Sequence, residues 1–148
     1  MLKRSIQNIE QNGYRNNRIW VDIEDISPVM VRAVIASEDG RFMEHRGFDI
    51  KELVKMKKEH QKKGKKIRGC STISQQVAKN CFTFCGRNWW RKSFEAYYTV
   101  LIELLWSKER IMEVYLNVAE TGKGIFGVET AARKYYDRSA AKLNTRQA

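Results

Sequence analysis

Two adjacent carboxylates open the stretch of the chain with the most evident chemistry, residues 38–47. Glu38 lies four residues after Val34, which puts both on the apolar stripe of a predicted helix. Apolar surroundings raise the pKa of a carboxyl group and suit it to general base catalysis. The same spacing also allows Glu38 to pair with Arg32 or Arg41 and only close the helix. Three further residues suited to a cleft wall follow: Asp39, Phe42 and His45.

A turn of small residues leads into a helix at residues 69–72, and the first backbone N–H groups of such a helix are free to hold an anion. Hydroxyl, amide and ammonium donors follow in the same segment: Ser71, Thr72, Gln75, Gln76, Lys79 and Asn80. Thr72 and Gln75 have the spacing of a capping box, so an ordinary capped helix is the alternative. A polar run with almost no charge is unusual on a solvated helix face, which favours a binding site.

Two later segments carry weaker signals. Arg91 and Glu95 are four residues apart, which is the spacing of an exposed ion pair on a helix. In the functional alternative, Arg91 and Lys92 hold a phosphate and Glu95 acts as a second carboxylate. Glu113 and Asn117 share one face of a predicted helix and, taken singly, are typical of a scaffold.

Helical periodicity runs through most of the chain and must position these residues. Ser27 is placed to cap a helix with Pro28 at its first position, and Asn88 to cap a long one. Further helices are predicted from about Lys108 to Val118 and over residues 126–136. No alternating strand pattern of useful length is present, so the prediction is an all-α fold. Residues 51–68 are too polar for a packed element and are predicted to be a mobile segment.

Charge and length limit the classes of protein that fit. The chain has 148 residues, enough for one domain, and a net charge of +11. Residues 51–68 alone contain nine basic and two acidic side chains. Such a surplus implies an anionic partner, whether nucleic acid, an acidic membrane surface or a phosphorylated substrate. The hydrophobic fraction of 43% excludes wholesale disorder.

Cysteines and apolar runs add little to this assignment. The three cysteines, Cys70, Cys81 and Cys85, match neither a disulfide framework nor a zinc site and are predicted to be small core residues.

The most apolar run, residues 96–106, is interrupted by Glu103 and is too short to cross a bilayer. Residues 143–148 resemble a helix start, with Thr145 as its cap, which suggests a truncated domain.

Taken together, the segments resemble the five sequence motifs of the peptidoglycan glycosyltransferases, glycosyltransferase family 51, in the same order. The first pattern, E-D-x-x-F-x-x-H-x-G, is filled by Glu38, Asp39, Phe42, His45 and Gly47. The second, G-G-S-T-I-x-Q-Q-x-x-K-N, is matched from Gly69 to Asn80, with Cys70 in place of the second glycine. The third, R-K-x-x-E, is Arg91, Lys92 and Glu95. The fourth and fifth are matched by Lys108, Ile111, Glu113, Tyr115, Leu116 and Asn117, then Gly127, Val128, Ala131, Ala132 and Tyr135.

The resemblance covers residues 20–148, leaving residues 1–19 as an N-terminal extension. It implies an all-α, lysozyme-like fold with two lobes and a central cleft, truncated at its C-terminus and without its membrane anchor. It also implies a location on the outer face of the cytoplasmic membrane, and a possible place in a cell-wall synthesis complex. The implied substrate is lipid II, which is polymerised into glycan strands with inversion and loss of undecaprenyl pyrophosphate.

The resemblance also assigns roles to residues. Glu38 would be the base that deprotonates the acceptor hydroxyl, with Glu95 helping to position or polarise and Glu113 supporting the site. Lys79, Arg91 and Lys92 would stabilise the charge that develops on the pyrophosphate. No cofactor is obligatory and no metal ligands are assigned, although a divalent cation, Mg or Mn, is compatible with the donor pyrophosphate. The basic segment at residues 51–68 would suit anionic lipid head groups.

Three other interpretations remain open. A lysozyme-like hydrolase or lytic transglycosylase would share the fold but would not require cations beside the carboxylate. A nucleic-acid-binding module would explain the basic segment, but aromatic residues are not interleaved there, so no nucleic acid is expected as a partner. A fragment without activity would result if the cleft lacked part of its packing.

Overall fold

Six α-helices form the part of the chain that the structure, a computed structural model, describes: residues 18–63, 71–83 and 89–148. The helices are α1 (Pro28–Glu38), α2 (Ile50–Lys63), α3 (Ile73–Phe82), α4 (Trp89–Leu105), α5 (Lys108–Val118) and α6 (Val128–Tyr136). Short 3₁₀ helices lie at Ile23–Asp25 and Ala140–Lys142. The all-α, lysozyme-like fold class predicted from the sequence is confirmed.

A small antiparallel hairpin interrupts the helices where the sequence has a glycine-rich turn. Its strands are β1 (Glu120–Gly122) and β2 (Ile125–Phe126), with Glu120 opposite Phe126 and Gly122 opposite Ile125. Gly124 has a φ of +72°, which a residue with a Cβ rarely adopts, and it allows the chain to reverse between the strands. The sequence predicted the turn but not the pairing.

The core is built around α5, whose residues 111–118 are all buried. Helix α3 packs against both α4 and α5. Side chains from these three helices supply much of the core, including Ile73, Val77, Ala78, Ile102, Ile111 and Leu116. Because each fully buried aliphatic side chain contributes roughly 1.5–3 kcal/mol, this cluster holds the relative positions of α3, α4 and α5.

Helix α2 gives residues 50–63 a regular structure that the sequence analysis did not predict, while the mobility of residues 51–68 stays a prediction. The backbone N–H of Glu52 donates to Asp49 Oδ1 at 2.9 Å, which satisfies one of the free donors at the helix start. The sequence between Ile50 and Lys63 has neither Gly nor Pro, and six of its fourteen residues are Lys, which forms helices readily even when exposed. Residues 64–68 lie outside the described part of the chain.

Three smaller sequence predictions are corrected. Ser27 precedes α1 as predicted, but its hydroxyl donates to the Leu143 carbonyl at 2.9 Å instead of capping the helix. At residues 143–148, Asn144 rather than Thr145 makes the turn, since its side-chain oxygen accepts from Arg146 N at 3.0 Å. Cys81 is exposed and not a core residue, whereas Cys70 and Cys85 lie outside the described residues.

The outer face of α4 carries large apolar side chains that the described part of the chain leaves exposed. They are Trp90, Phe94, Tyr97, Val100, Leu104 and Leu105. Among the described residues, no helix has both the length and the continuous apolar character that crossing a bilayer requires.

Candidate active site

Glu38 is the last residue of α1, and its side chain is exposed. This corrects the expectation of a half-buried carboxylate on the apolar stripe: Val34 is buried, but the helix ends one turn later and Glu38 projects beyond the packed face. Gln76 Nε2 donates to Glu38 Oε2 at 3.1 Å. The carboxylate is therefore held at the edge of α3 rather than among apolar neighbours.

Asp39, next in the chain, links the end of α1 to the start of α3. Its carboxylate oxygens lie 2.8 and 3.0 Å from His45 Nε2, and Oδ2 accepts from the backbone N–H of Ile73 at 3.0 Å. Both Asp39 and His45 are buried. The side chains of Asp39 and His45 thus fix the loop at residues 39–47 against α3, and their role in substrate binding stays a prediction.

Phe42 is likewise buried, with 1% of its surface exposed, and its role in substrate binding stays a prediction. Its ring lies edge-on to His45, with 6.3 Å between ring centres. Lys108 Nζ lies 4.5 Å from the centre of the Phe42 ring, within cation–π range. Phe42 therefore anchors the loop that follows Glu38 in the core.

The start of α3 has the capping box that the sequence predicted. Gln75 N donates to Thr72 Oγ1 at 3.2 Å, and Thr72 N donates to Gln75 Oε1 at 3.0 Å. The Thr72 hydroxyl also donates to the Gly47 carbonyl at 2.6 Å. Thr72 is buried and caps the helix, and its predicted contact with substrate stays a prediction. Ser71, immediately before it, is exposed.

A cavity of about 260 Å³ is lined by six of the residues that the sequence analysis predicted for the site. It is lined by Glu38, Ser71, Gln75, Gln76, Lys79 and Glu95. These residues come from three separate elements: the end of α1, the first turns of α3 and the start of α4. We call this the Lys79 cavity. Asn80, the remaining candidate on α3, is exposed and is not among the described lining residues.

A second cavity, of about 310 Å³, lies on the other side of Glu38 and Ser71, which line both. It is formed with α2, and we call it the α2 cavity. Its further lining residues include Ser37, Arg41, Asp49, Glu52, Leu53 and Met56. Asp39 and Thr72, both predicted as substrate-binding residues, also line this cavity. Glu52, Leu53 and Met56 were missed as lining residues because α2 was not predicted as a helix.

At the start of α4, Glu95 is buried and accepts from Lys92 Nζ at 2.5 Å. The predicted ion pair between Arg91 and Glu95 is therefore replaced by one between Lys92 and Glu95. The Arg91 side chain is half-buried, and its Nε atom has no hydrogen-bond partner among the described residues. A buried donor without an acceptor is uncommon in proteins, and Arg91 is not among the described residues that line the Lys79 cavity.

Glu113 and Asn117 are both buried, and their role in substrate binding stays a prediction. Asn117 is fully buried and pairs with Val21 in both directions, accepting at 3.0 Å and donating at 2.8 Å. Glu113 accepts from the Ile23 backbone N–H at 3.1 Å and pairs with Arg110. Together they fasten the segment that precedes α1 to α5.

Tyr115 is a residue near the site that the sequence analysis did not assign a role. It is buried on α5. Its burial and, secondarily, the negative charge of Glu38 raise the pKa of Tyr115 to about 12. The phenol is therefore neutral at physiological pH and lies close enough to Glu38 to sense its charge.

Asp39, His45 and Asp49 each place one potential ligand atom within 4.8 Å of the others. Hydrogen bonds to backbone account for the two carboxylates, because Asp39 accepts from Ile73 N and Asp49 from Glu52 N. Each carboxylate thus satisfies a free donor at the start of a helix. The two carboxylates are thus explained as helix caps, and His45 contacts Asp39 through Nε2 while its Nδ1 atom has no hydrogen-bond partner among the described residues.

Comparison with known proteins supports an assignment by family. A family model described as Transglycosylase matches residues 3–148. Biosynthetic peptidoglycan transglycosylases are similar: that of Haemophilus influenzae is 49% identical over 100% of this chain and 61% of its own length. Those of Bacteroides thetaiotaomicron and Bdellovibrio bacteriovorus are 51% and 54% identical over 99% and 100% of this chain, and 59% of their own lengths. The chain thus spans about three fifths of these relatives, and it belongs to the transglycosylase family.

Proposed function

We propose that this chain forms part of an enzyme that polymerises lipid II into glycan strands at the outer face of the cytoplasmic membrane. The observation that supports this most directly is the Lys79 cavity, in which an accessible carboxylate, Glu38, shares one wall with amide donors and an ammonium group. A base and a phosphate-binding cation side by side are what transfer of a glycosyl group from a pyrophosphate requires. A hydrolase that cuts glycan has no comparable need for the cation.

Glu38 is the proposed general base. The acceptor hydroxyl attacks the anomeric carbon of the donor, its proton moves to the Glu38 carboxylate, and the bond to the pyrophosphate oxygen breaks. The electron pair of that bond leaves on undecaprenyl pyrophosphate, and the configuration inverts. The Gln76 amide, 3.1 Å from Glu38 Oε2, orients the carboxylate for this step.

The leaving pyrophosphate needs positive charge and hydrogen-bond donors rather than a general acid. Lys79 supplies the charge inside the cavity, and Ser71 and Gln75 supply uncharged donors. Arg91 carries the buried Nε donor without a described partner, which the pyrophosphate would satisfy. Lys92 forms an ion pair with Glu95, and the pair is proposed to contribute to pyrophosphate binding together.

The side chains of the Lys79 cavity also fit a divalent cation. Mg²⁺ and Mn²⁺ prefer carboxylate and phosphate oxygens, and Glu38 and Glu95 both line this cavity. Glu95 is the residue proposed to hold the ion, because Glu38 serves as the base. When bound, the ion would supply positive charge to the pyrophosphate.

The position of Glu38 between the two cavities supports an assignment of the reactants. The donor is proposed to occupy the Lys79 cavity, where its pyrophosphate meets cations, and the acceptor the α2 cavity. Glu38 lines both cavities. A base in this position can reach the hydroxyl of an acceptor in one cavity while the hydroxyl attacks the anomeric carbon of a donor in the other. Arg41, which is 3.4 Å from Asp49, then lies on the acceptor side.

Helix α2 is proposed to contact an anionic membrane surface. Its lysines recur at helical spacing along one face: Lys51, Lys55, Lys58 and Lys62. Apolar side chains on the same helix, Ile50, Leu53 and Val54, are exposed beside them. Basic and apolar side chains on one exposed helix are typical of interfacial helices, and each lysine near an anionic bilayer contributes roughly 1 kcal/mol. A cell-wall synthesis complex on that surface is the proposed wider setting.

The proposed function is tested by incubating the chain with lipid II in detergent and separating the glycan products by size. New polymer is expected, and Glu38→Gln should lower its rate about 10²- to 10⁴-fold, because the amide cannot accept the proton. The matched control is Glu109→Gln, an exposed glutamate in the first turn of α5, which should leave the rate unchanged. Shortening of preformed glycan without new polymer would instead identify a lytic enzyme, and polymer formation by Glu38→Gln at the normal rate would refute the base.

A further inference from the structure

A buried acidic side chain in the last turn of α4, Glu103, takes no part in the proposed chemistry. Its side chain is only 6% exposed. Glu103 Oε1 accepts from the Ser74 hydroxyl of α3 and from Lys108 Nζ of α5, the latter at 2.8 Å. One carboxylate oxygen thus joins the three helices that build the core.

A buried ion pair is a poor source of net stability, since desolvation of the charges offsets much of their attraction. It is, however, sensitive to position, because the charged groups are costly to bury once they are moved apart. The Ser74–Glu103–Lys108 cluster is therefore better understood as a device that fixes where α3 lies relative to α4 and α5. Apolar side chains of the core pack these helices together without specifying that position as sharply.

Each member of the cluster is connected to an edge of the active site. Ser74 is in the first turn of α3 and lies beside Gln75 and Gln76 in the chain, both of which line the Lys79 cavity. Glu103 is eight residues after Glu95 on α4, about 12 Å along the helix axis. Lys108 contacts the ring of Phe42 in the loop that follows Glu38.

The same part of α4 also receives the end of that loop. A Cβ added to Gly47 would lie 2.8 Å from Thr99 Cγ2 and 3.3 Å from Glu103 Cγ, so the backbone approaches α4 as closely as a glycine permits. The Gly47 carbonyl in turn accepts from the Thr72 hydroxyl at the start of α3. The loop after Glu38, α3 and α4 therefore meet at Glu103.

We propose that Glu103 is a positioning residue for the transfer reaction. Through its hydrogen bond with Ser74, the Glu103 carboxylate sets the separation between the α3 and α4 walls of the Lys79 cavity. That separation determines how tightly Lys79 and Arg91 bind the donor pyrophosphate. This inference rests on the proposed function, since it assumes that the cavity binds a pyrophosphate. It assigns no contact between Glu103 and substrate.

The test uses Ser74→Ala, which removes the tie to α3 but leaves the pair between Glu103 and Lys108 in place. The probe is farnesyl pyrophosphate, a soluble polyprenyl pyrophosphate, and its affinity is measured by calorimetry together with thermal unfolding of each variant. Ser74→Ala is expected to weaken binding about fivefold to tenfold, because small displacements of binding groups are costly. The matched control is Ser27→Ala, which also deletes a buried hydroxyl that joins distant segments, through Leu143. It should lose similar stability but keep the full affinity.

A second variant, Glu103→Ala, should weaken binding at least as much as Ser74→Ala, and the double variant should be no weaker than Glu103→Ala alone, because both changes remove the same tie. Unchanged affinity in Ser74→Ala, or an equal loss in Ser27→Ala, would overturn the positioning role while leaving the proposed function intact. Failure of the unaltered chain to bind the pyrophosphate would overturn the proposed function, and this inference with it.

Discussion

Helices α2 and α3 are both polar, border the two cavities beside Glu38, and differ sharply in how they are held. Helix α3 is capped at its start by a reciprocal box and by Asp39, and it buries Ile73, Ser74, Val77 and Ala78. Helix α2 is tied at its start by Asp49, and none of its described side chains is buried. The molecule thus has one wall fixed by the core and one wall turned to solvent.

This difference bears on how the chemistry is divided. Groups that stabilise developing charge must be in place before the reaction, since reorganising them costs part of the rate acceleration. Gln75, Gln76 and Lys79 are on the fixed wall. A growing polymer and a lipid surface need an adaptable contact instead, and α2 offers exposed lysines for it. Substitutions on α3 should therefore change turnover, pyrophosphate binding or folding, and those on the exposed face of α2 should change only binding to the membrane surface.

The largest effect is expected from Lys79→Ala on the fixed wall. Loss of the only ammonium group among the described residues that line the Lys79 cavity should lower the rate of lipid II polymerisation about 10²-fold, the scale for removing one group that stabilises developing charge. Because Lys79 is exposed, the thermal midpoint should change little. Lys134→Ala, an exposed lysine in the last turn of α6, is the matched control and should leave the rate unchanged. An equal rate in both variants would remove Lys79 from the site.

A smaller effect, on folding, is expected from Asp39→Ala. The substitution leaves the Ile73 backbone N–H and the His45 ring without their buried acceptor, which should cost about 2–3 kcal/mol of the free energy of unfolding. Chemical denaturation measures this loss. Asp22→Ala, which precedes a 3₁₀ helix without a side-chain cap bond, should cost less than about 0.5 kcal/mol. If Asp39→Ala lost no more free energy of unfolding than Asp22→Ala, the start of α3 would not depend on Asp39.

The contrast between the two walls also shows which features the sequence could predict. The capping box of Thr72 and Gln75 was predictable because its partners are three residues apart and the signal is local. The accessible residues of the Lys79 cavity were predicted from residue type and motif order. Helix α2 was missed because its polar composition was interpreted as mobility, although helix propensity does not require burial.

Long-range contacts account for the other features that the sequence analysis did not predict. Asp39 bonds a residue 34 positions away, and Asn117 bonds Val21 across 96 positions. No local pattern distinguishes a carboxylate or amide that faces a ligand from one that faces a distant backbone. Glu103 did leave a signal, since a single acid inside the apolar run at residues 96–106 must be partnered when buried. The identity of its partners, Ser74 and Lys108, still required the packing of three helices.

The smallest effect on the protein itself is expected from neutralising α2. Replacing Lys51, Lys55, Lys58 and Lys62 by glutamine removes four exposed charges and no buried contact, so the free energy of unfolding should change by less than about 0.5 kcal/mol. Binding to vesicles that contain anionic phosphatidylglycerol should nevertheless fall by at least tenfold, and the binding of the unaltered chain should weaken as salt is raised. Vesicles of neutral phosphatidylcholine provide the baseline. Replacement of four exposed basic residues outside α2 by glutamine, Lys123, Lys134, Arg138 and Lys142, provides a control of equal net charge. If that control loses as much binding as the α2 variant, then the attraction comes from overall charge, and the exposed wall has no special role at the membrane.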